Sequence, residues 1–140
     1  MLENIKDTAK YLKDAGIKPS LQRMRIFEHL AATKSHPTID SMYNGLISEI
    51  PTPSKTTVYN TMKLFHQQGI VNIINIEDNE TRYDADISFH GHFKCTKCMR
   101  VTDFKTPDMH KSLKALKDYQ IAESHYYVKG ICAECMSKEN

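Results

Sequence analysis

Two Cys-x-x-Cys pairs constrain this chain more than any other feature of its sequence. The chain has four cysteines, and they fall as Cys95 with Cys98 and as Cys132 with Cys135. Each pair lies on a short turn that directs two thiolates to one point, so the two pairs supply the four sulfurs of a tetrahedral Zn²⁺ site. Four thiolates leave no open position for a substrate. We therefore expect a structural zinc that holds the C-terminal part of the chain together.

Length and charge set broad limits on this chain. Its 140 residues can form one ordinary domain or two small ones, whose thin cores a metal or a dimer interface would stabilise. The net charge of +2 neither requires nor excludes nucleic acid. The sequence has no apolar run long enough for a bilayer and no signal-peptide pattern, which predicts a soluble cytoplasmic protein without a membrane partner. In a reducing cytosol, paired cysteines favour metal binding over a redox dithiol or a disulfide framework.

The spacing of apolar residues predicts a helical first half. Leu2, Ile5, Ala9 and Leu12 recur at helical intervals, and Gly16 ends this helix. Three further helices are expected, each beginning near a small polar residue. Those residues are Ser20, Thr38 and Ser54, and the last helix runs to about Gln68.

The period of the pattern changes after Gly69. Ile70–Ile76 is rich in β-branched residues, and Thr81–Asp84 returns as a second strand after a polar turn. Helices followed by a β-hairpin are the order of a winged helix-turn-helix, which is a DNA-binding fold.

Beyond Asp84, short strand-like segments surround one further predicted helix. The strands are expected within residues 91–95, 100–104 and 122–132, and the helix over Pro107–Tyr119. We therefore predict an α+β chain with two domains. Residues 1–84 would form the winged helix-turn-helix DNA-binding domain, and residues 85–140 a small α/β dimerisation domain with the four-cysteine zinc site.

The fourth predicted helix is the candidate for reading DNA. The sequence has no Asp or Glu between Ile50 and Ile76, and Val58, Met62 and Phe65 form an apolar stripe on this helix. The opposite stripe is polar, at positions i, i+3, i+4 and i+7, and consists of Thr56, Tyr59, Asn60 and Lys63. Such a stripe suits the major groove, where the Asn amide can pair with a base edge.

Several cations are placed to contact phosphates of double-stranded DNA. They are Arg23 and Arg25 in the second helix and Lys55 and Lys63 in the fourth. The low net charge suggests that one module alone binds weakly, so two copies on a palindromic site are expected. The alternative is a solvated helix face that happens to lack acids.

A second metal site is predicted ahead of the first cysteine pair. His90 and His92 lie two residues apart, so on a strand both imidazoles point to one face. With His36, Asp84 and Asp103 they make three imidazoles and two carboxylates, a set that suits Fe²⁺ or Mn²⁺ better than thiolates do. Ligands from both halves would fix one domain against the other, so metal occupancy would control DNA binding. The alternative is a pair of surface histidines beside ordinary solvent-facing acids.

These residues together resemble the ferric-uptake-regulator superfamily of bacterial metal-dependent repressors, over nearly the whole chain. Within it, the chain most resembles the peroxide-responsive repressors. The motifs that carry the resemblance are His36-Pro37-Thr38, Thr57-Val58-Tyr59-Asn60, Arg82-Tyr83-Asp84, His90-Gly91-His92 ahead of Cys95-x-x-Cys98, and Val101-Thr102-Asp103-Phe104. Two positions favour the peroxide branch. Asp103 stands where iron-uptake regulators usually have Glu, and Asn60 where they usually have Arg.

The resemblance implies a homodimer, closed by the zinc-binding C-terminal halves and carrying two winged-helix readers. Position by position, it assigns the structural zinc to the four cysteines. It assigns the regulatory Fe²⁺ or Mn²⁺ to His36, Asp84, His90, His92 and Asp103. It also implies that H₂O₂ is the signal, that His36 or His90 is the residue oxidised, and that the protein is not an enzyme.

The sequence also departs from the family pattern. Ser20-Leu21 replaces the usual Thr-Pro at the start of the second helix, and Thr56 replaces the usual Ala before Thr-Val-Tyr. Phe89 and Gly91 replace ligands of an additional metal site found in many iron-uptake regulators, so that site is not expected. His110 and His125 lie near its remaining positions.

Three other functions compete with peroxide sensing. The first is a metal-uptake repressor with iron, zinc or manganese as co-repressor. The second is a non-haem iron enzyme, because two histidines and one carboxylate with open positions can bind O₂. Five protein ligands would leave it little coordination room. The third is a zinc-ribbon interaction module with an incidental helical half.

Overall fold

The computed structural model describes residues 7–50, 54–107 and 109–138 of the chain. Leu2 and Ile5, which were predicted to lie in the first helix, fall outside the described residues. The chain divides into two compact units, Met1–Ile87 and Ser88–Asn140, close to the boundary predicted after residue 84. Within the described ranges, no helix has the length and apolar character needed to cross a membrane.

The first unit begins with four helices, each of which starts after a residue that caps its N-terminus. They are α1 (Thr8–Asp14), α2 (Leu21–Ala32), α3 (Ile39–Leu46) and α4 (Lys55–Gln67). At each N-terminus a side-chain oxygen accepts a hydrogen bond from the backbone N–H three residues on, which satisfies a donor with no partner inside the helix. The capping residues are Asp7, Ser20, Thr38 and Ser54. Gly16 and Gly69 follow α1 and α4 with φ of +80°, a backbone conformation that glycine adopts without cost.

The core of the first unit forms where these helices cross. Phe27 of α2 and Phe65 of α4 pack edge to face, with ring centroids 5.7 Å apart and planes at 89°. Leu12, Met42 and Met62 are fully buried around them. Burial of such side chains contributes about 1.5–3 kcal/mol each, so this contact holds the four helices together.

A short antiparallel hairpin completes the first unit. It pairs β1 (Asn72–Ile74) with β2 (Arg82–Asp84), and Ile73 lies opposite Tyr83. The strands are shorter than predicted, and Ile70, Val71 and Ile76 are buried but lie outside the ladder. Helices followed by this hairpin give the predicted winged-helix order.

The second unit is built on a three-stranded sheet and one helix. Its strands are β3 (Gly91–Cys95), β4 (Val101–Phe104) and β5 (Tyr127–Gly130), in the order β4-β3-β5. β3 pairs antiparallel with β4 and parallel with β5, and α5 (Ala133–Lys138) follows. Gly91 is required opposite Phe104, since a Cβ there would lie 2.3 Å from the ring. The α+β fold class predicted from the sequence is confirmed.

The prediction of a helix over Pro107–Tyr119 is wrong. The chain instead forms two short 3₁₀ segments, Met109–Ser112 and Lys114–Leu116. No residue of the second segment is buried, and Leu113 before it is half exposed. A helix of this length is marginal in water without an apolar face packed on a core. The strand expected over residues 122–132 is likewise reduced to Tyr127–Gly130.

Candidate metal centres and DNA-reading helix

The four cysteines come together in the second unit as a compact sulfur cluster. Cys95 ends β3, Cys98 follows in the turn, and the other two flank the start of α5. The Sγ atoms of Cys95 and Cys135 are 3.8 Å apart, as are those of Cys98 and Cys132. A zinc ion with Zn–S bonds of about 2.3 Å in a tetrahedron requires S–S distances of about 3.8 Å. The cluster therefore fits a structural zinc site.

Backbone N–H groups stabilise negative charge on this cluster. The buried Sγ of Cys95 accepts from the N–H groups of Cys132, Cys98 and Lys97, each at 3.4 Å. These bonds, chiefly those from Cys132 and Cys98, lower the pKa of the Cys95 thiol to about 5. The neighbouring Cys132 sulfur raises the pKa of Cys135 to about 12, so the crowded sulfurs resist full ionisation. A divalent cation would offset the repulsion between the ionised sulfurs.

An ion pair that sequence analysis missed lies beside the sulfurs. Arg100 Nη2 donates to Glu134 Oε2 at 2.7 Å and lies 4.0 Å from Cys132 Sγ. The hydrogen bond to Glu134 raises the pKa of the guanidinium, and Arg100 in turn lowers the pKa of Glu134. A positive group thus faces a thiolate cluster whose net charge stays negative after zinc binds. The residues are 34 apart in sequence, and no local pattern indicates the contact.

Two of the predicted regulatory ligands meet in the first unit. We call His36 and Asp84 the N-terminal ligand pair. His36 Nε2 lies 3.5 Å from Asp84 Oδ2, and the imidazole is buried with 4% exposed. The other carboxylate oxygen, Oδ1, accepts from the backbone N–H of Asp86 at 2.9 Å, which orients Oδ2 toward the ring.

The other three predicted ligands meet in the second unit. We call His90, His92 and Asp103 the C-terminal ligand triad. His92 on β3 lies opposite Asp103 on β4, and its Nε2 is 3.3 Å from Oδ1, while His90 Nε2 is 3.6 Å from Oδ2. His90 Nδ1 is 2.8 Å from the carbonyl oxygen of Ser88, a bond that leaves Nε2 as the ligand atom. The two imidazoles and the carboxylate thus converge as metal ligands do.

Neither remaining C-terminal histidine lies in the C-terminal ligand triad. His125 Nε2 is 3.5 Å from Glu123 Oε2, and its Nδ1 is 3.1 Å from the hydroxyl of Tyr127. His110 lies in the first 3₁₀ segment. Among the described residues, neither belongs to a group of three or more convergent ligand side chains.

Helix α4 has the two faces that its sequence predicts. Val58, Met62 and Phe65 are buried in the core. The polar stripe and the residue at the start of the helix are exposed, namely Lys55, Thr56, Tyr59, Asn60 and Lys63. This exposed face is available to DNA.

Three of the predicted phosphate contacts already have partners within the first unit. Arg23 Nη1 donates to the Lys18 carbonyl at 2.8 Å, and Arg25 lies 3.6 Å from Glu28. Lys55 Nζ is 3.1 Å from Asp40 Oδ1. Sequence analysis missed this last pair, which joins the start of α4 to the first turn of α3.

Comparison with known proteins agrees with this fold and these sites. The sequence model of the Ferric uptake regulator family matches residues 14–129. The chain is 32% identical over 139 residues to the peroxide operon regulator of Bacillus subtilis (strain 168), covering 97% of this chain and 96% of that protein. It is 28% identical over 137 residues to the peroxide-responsive repressor PerR of Staphylococcus aureus (strain Mu50), covering 96% and 93%.

Solved structures with more than a quarter of residues identical give the same result. The crystal structure of the Vibrio cholerae ferric uptake regulator matches with a TM-score of 0.71 and 28% identity, over 90% of this chain and 100% of that chain. The structure of PerR from Streptococcus pyogenes matches with a TM-score of 0.52 and 27% identity, over 96% and 92%.

The fold and the convergent ligand sets define a winged-helix, metal-binding regulator of transcription. The family match covers most of the chain, and the chain belongs to the ferric uptake regulator family. It is therefore a metal-dependent, DNA-binding transcriptional regulator from a family of dimeric regulators, and it is not an enzyme. The family predicted from the motifs is confirmed.

Proposed function

We propose that this regulator is a repressor that senses hydrogen peroxide by oxidation of a ligand histidine. The observation that carries the proposal is the C-terminal ligand triad. There Asp103 presents one oxygen to each imidazole, at 3.3 Å from His92 and 3.6 Å from His90. The short Asp side chain at this position is one of the two features by which the chain resembles peroxide-responsive repressors, and the other is Asn60. The similarity to the Bacillus subtilis peroxide operon regulator supports the same function.

The metals follow from the chemistry of the two ligand sets. We assign structural zinc to the four cysteines and a regulatory ion to the N-terminal ligand pair together with the C-terminal ligand triad. Three imidazoles and two carboxylates suit Fe²⁺ or Mn²⁺. Since the pair and the triad belong to different units, one ion held by all five would tie the units together and favour DNA binding. Iron bound there would supply the one-electron chemistry that turns H₂O₂ into a strong oxidant, whereas manganese does not support it.

His36 and His90 are the proposed targets of oxidation. The bond from His90 Nδ1 to the Ser88 carbonyl fixes Nε2 toward Asp103, and burial holds the His36 ring beside Asp84. An imidazole that has gained an oxygen atom is a poor ligand, so the pair and the triad would no longer share an ion. The homodimer would then release its palindromic operator. These events would take place in the cytoplasm, where the DNA is.

Peptide mass spectrometry after mild peroxide treatment tests the proposal. In Fe²⁺-loaded protein we expect one added oxygen atom on the peptide of His36 or His90. The imidazoles of His110 and His125 serve as internal controls and stay unmodified, and Mn²⁺-loaded protein shows no added oxygen on any of these four imidazoles. Fragment spectra must place the oxygen on the imidazole, because Met42 and Met109 lie close to these histidines in the sequence and methionine also takes up oxygen. Unmodified His36 and His90 in iron-loaded protein that still binds DNA would overturn the proposal.

Metal-uptake repression without peroxide sensing is the second candidate function. The similarity to the Vibrio cholerae ferric uptake regulator favours it. A DNA sequence that binds the Mn²⁺-loaded protein is first selected from a random pool. Gel shifts on this DNA, with and without peroxide, then distinguish the two functions. A peroxide sensor binds with Fe²⁺ or Mn²⁺ and loses the Fe²⁺ complex after peroxide, whereas a metal-uptake repressor keeps it. Asp103→Glu is expected to retain metal-dependent binding and to blunt the peroxide response, because the longer carboxylate changes how the iron is enclosed.

A further inference from the structure

Arg82 contacts two segments of the first unit that are far apart in sequence. Its Nη1 donates to the carbonyl oxygen of His36 at 3.0 Å, across 46 residues. On the other side its Nε bonds the Glu77 carboxylate, and its Nη2 lies 3.9 Å from Glu80. Glu77 and Glu80 belong to the turn between β1 and β2, which is the tip of the wing. Because the guanidinium is planar and rigid, its two sides move together.

His36 has a backbone conformation that must be held in place. Its φ is +56°, in the left-handed region, which is unfavourable for a residue with a Cβ. Two hydrogen bonds from β2 fasten this segment: Arg82 to the His36 carbonyl, and the Tyr83 N–H to the Pro37 carbonyl at 3.0 Å. The φ value also directs the imidazole to Asp84, which is two residues after Arg82 on the same strand. If the Arg82 bond is lost, His36 can relax to negative φ and its ring leaves Asp84.

We propose that Arg82 is a positioning residue that holds His36 as a metal ligand and couples it to the tip of the wing. The proposal rests on the proposed function in one respect, namely that His36 and Asp84 bind the regulatory ion. When His36 is displaced or oxidised, its backbone carbonyl, to which Arg82 donates a hydrogen bond, also moves. The guanidinium transmits this movement to Glu77. Coupling of this kind is reciprocal, so a wing engaged on DNA tightens metal binding by the same factor.

Two variants separate the halves of this role. Arg82→Gln removes both contacts, whereas Glu77→Gln keeps the bond to His36 and weakens only the contact with the wing. We expect Arg82→Gln to weaken Mn²⁺ binding about 10- to 100-fold, as loss of a group that orients a ligand does. Glu77→Gln should leave Mn²⁺ affinity within about twofold, yet reduce the factor by which Mn²⁺ strengthens DNA binding. Lys10→Gln is the matched control, because Lys10 pairs with Asp14 on α1 and not with His36.

The number of imidazoles bound to Mn²⁺ distinguishes positioning from a general loss of structure. Pulsed electron paramagnetic resonance should count three in the natural protein and two in His36→Ala. Arg82→Gln should also give two, with unchanged zinc content and helical circular dichroism. Arg82→Lys keeps the positive charge but loses the planar set of N–H donors, so its Mn²⁺ affinity should lie between those of the natural protein and Arg82→Gln. If Arg82→Gln fails to fold, Arg82→Lys provides the test.

The outcomes separate the two proposals. If His36→Ala leaves Mn²⁺ affinity and imidazole count unchanged, the proposed ligand set is wrong and the role of Arg82 falls with it. If His36→Ala loses an imidazole while Arg82→Gln and Arg82→Lys keep all three with natural affinity, the positioning role alone is overturned. If the Mn²⁺-dependent gain in DNA affinity is the same in Glu77→Gln as in Lys10→Gln, the coupling to the wing is overturned.

Discussion

Removal of the Asp40 charge should strengthen DNA binding, because Asp40 competes with phosphate for Lys55. The Lys55 ammonium lies 3.1 Å from Asp40 Oδ1, and both side chains are exposed. Lys55 is also the first residue of α4, where the positive end of the helix dipole disfavours a second positive charge. Asp40 stabilises Lys55 there in the free protein. On DNA a phosphate would take the place of Asp40.

The size of the effect follows from the exposure of the pair. An exposed ion pair is worth about 0.2–1 kcal/mol. If DNA must replace Asp40 in both subunits of a dimer, Asp40→Asn should tighten binding by twice this free energy, or about twofold to 25-fold. Lys55 neutralises the same phosphate with and without Asp40, so the dependence of log K on log salt should keep its slope.

Fluorescence anisotropy on a random-sequence duplex, repeated over a salt series, measures both quantities. A random duplex suffices because the electrostatic contribution does not depend on sequence. Asp14→Asn is the matched control, since Asp14 also pairs with an exposed lysine, Lys10, at 2.8 Å but lies on α1. Adding Lys55→Ala to Asp40→Asn should abolish the gain. The reasoning is refuted if Asp40→Asn and Asp14→Asn give the same affinity.

Three further predictions concern the second unit. Met99 has φ of +67°, so Met99→Gly should raise the free energy of unfolding of zinc-loaded protein by about 1 kcal/mol, and an unchanged denaturant midpoint would contradict this. Gly91→Ala should destabilise by about 1–3 kcal/mol, because its Cβ would meet Phe104, and adding Phe104→Leu should recover part of the loss in the same denaturation assay. Folding lowers the pKa of Cys95 from 9.0 to about 5, so the stability gained from its thiolate is complete above pH 9.0 and is lost as the pH falls through about 5. Zinc competes with protons for all four sulfurs, so zinc retained after gel filtration should fall as the pH is lowered, and retention that does not depend on pH would refute the assignment.

Local signals in the sequence predicted most of the first unit. Ser20, Thr38 and Ser54 cap helices in the structure. These caps could be predicted because an N-cap contact joins residues only three apart in the sequence. The two faces of α4 also follow from short-range periodicity, because Val58, Met62 and Phe65 recur at helical spacing and are buried. Elements of this kind are determined by their own residues.

The contacts that sequence analysis missed depend on the tertiary fold. Arg82 reaches His36 across 46 residues, and Arg100 reaches Glu134 across 34. No spacing rule connects such positions in a single sequence. The helix over Pro107–Tyr119 was wrongly predicted because a local pattern was present without the tertiary packing that a helix needs. Its apolar spacing is helical, but Leu113 and its neighbours lack the buried packing that stabilises a short helix.

Strand β3 limits how the family can vary in length. Its five residues bring His92 opposite Asp103 and end at Cys95, the first zinc ligand. Successive side chains on a strand point to opposite faces, so a one-residue insertion between His92 and Cys95 would turn either the histidines or the cysteine to the wrong side. A two-residue insertion would restore the alternation. Among relatives that retain both sites, natural length changes in this interval should therefore occur in even numbers, which a survey of their sequences can check.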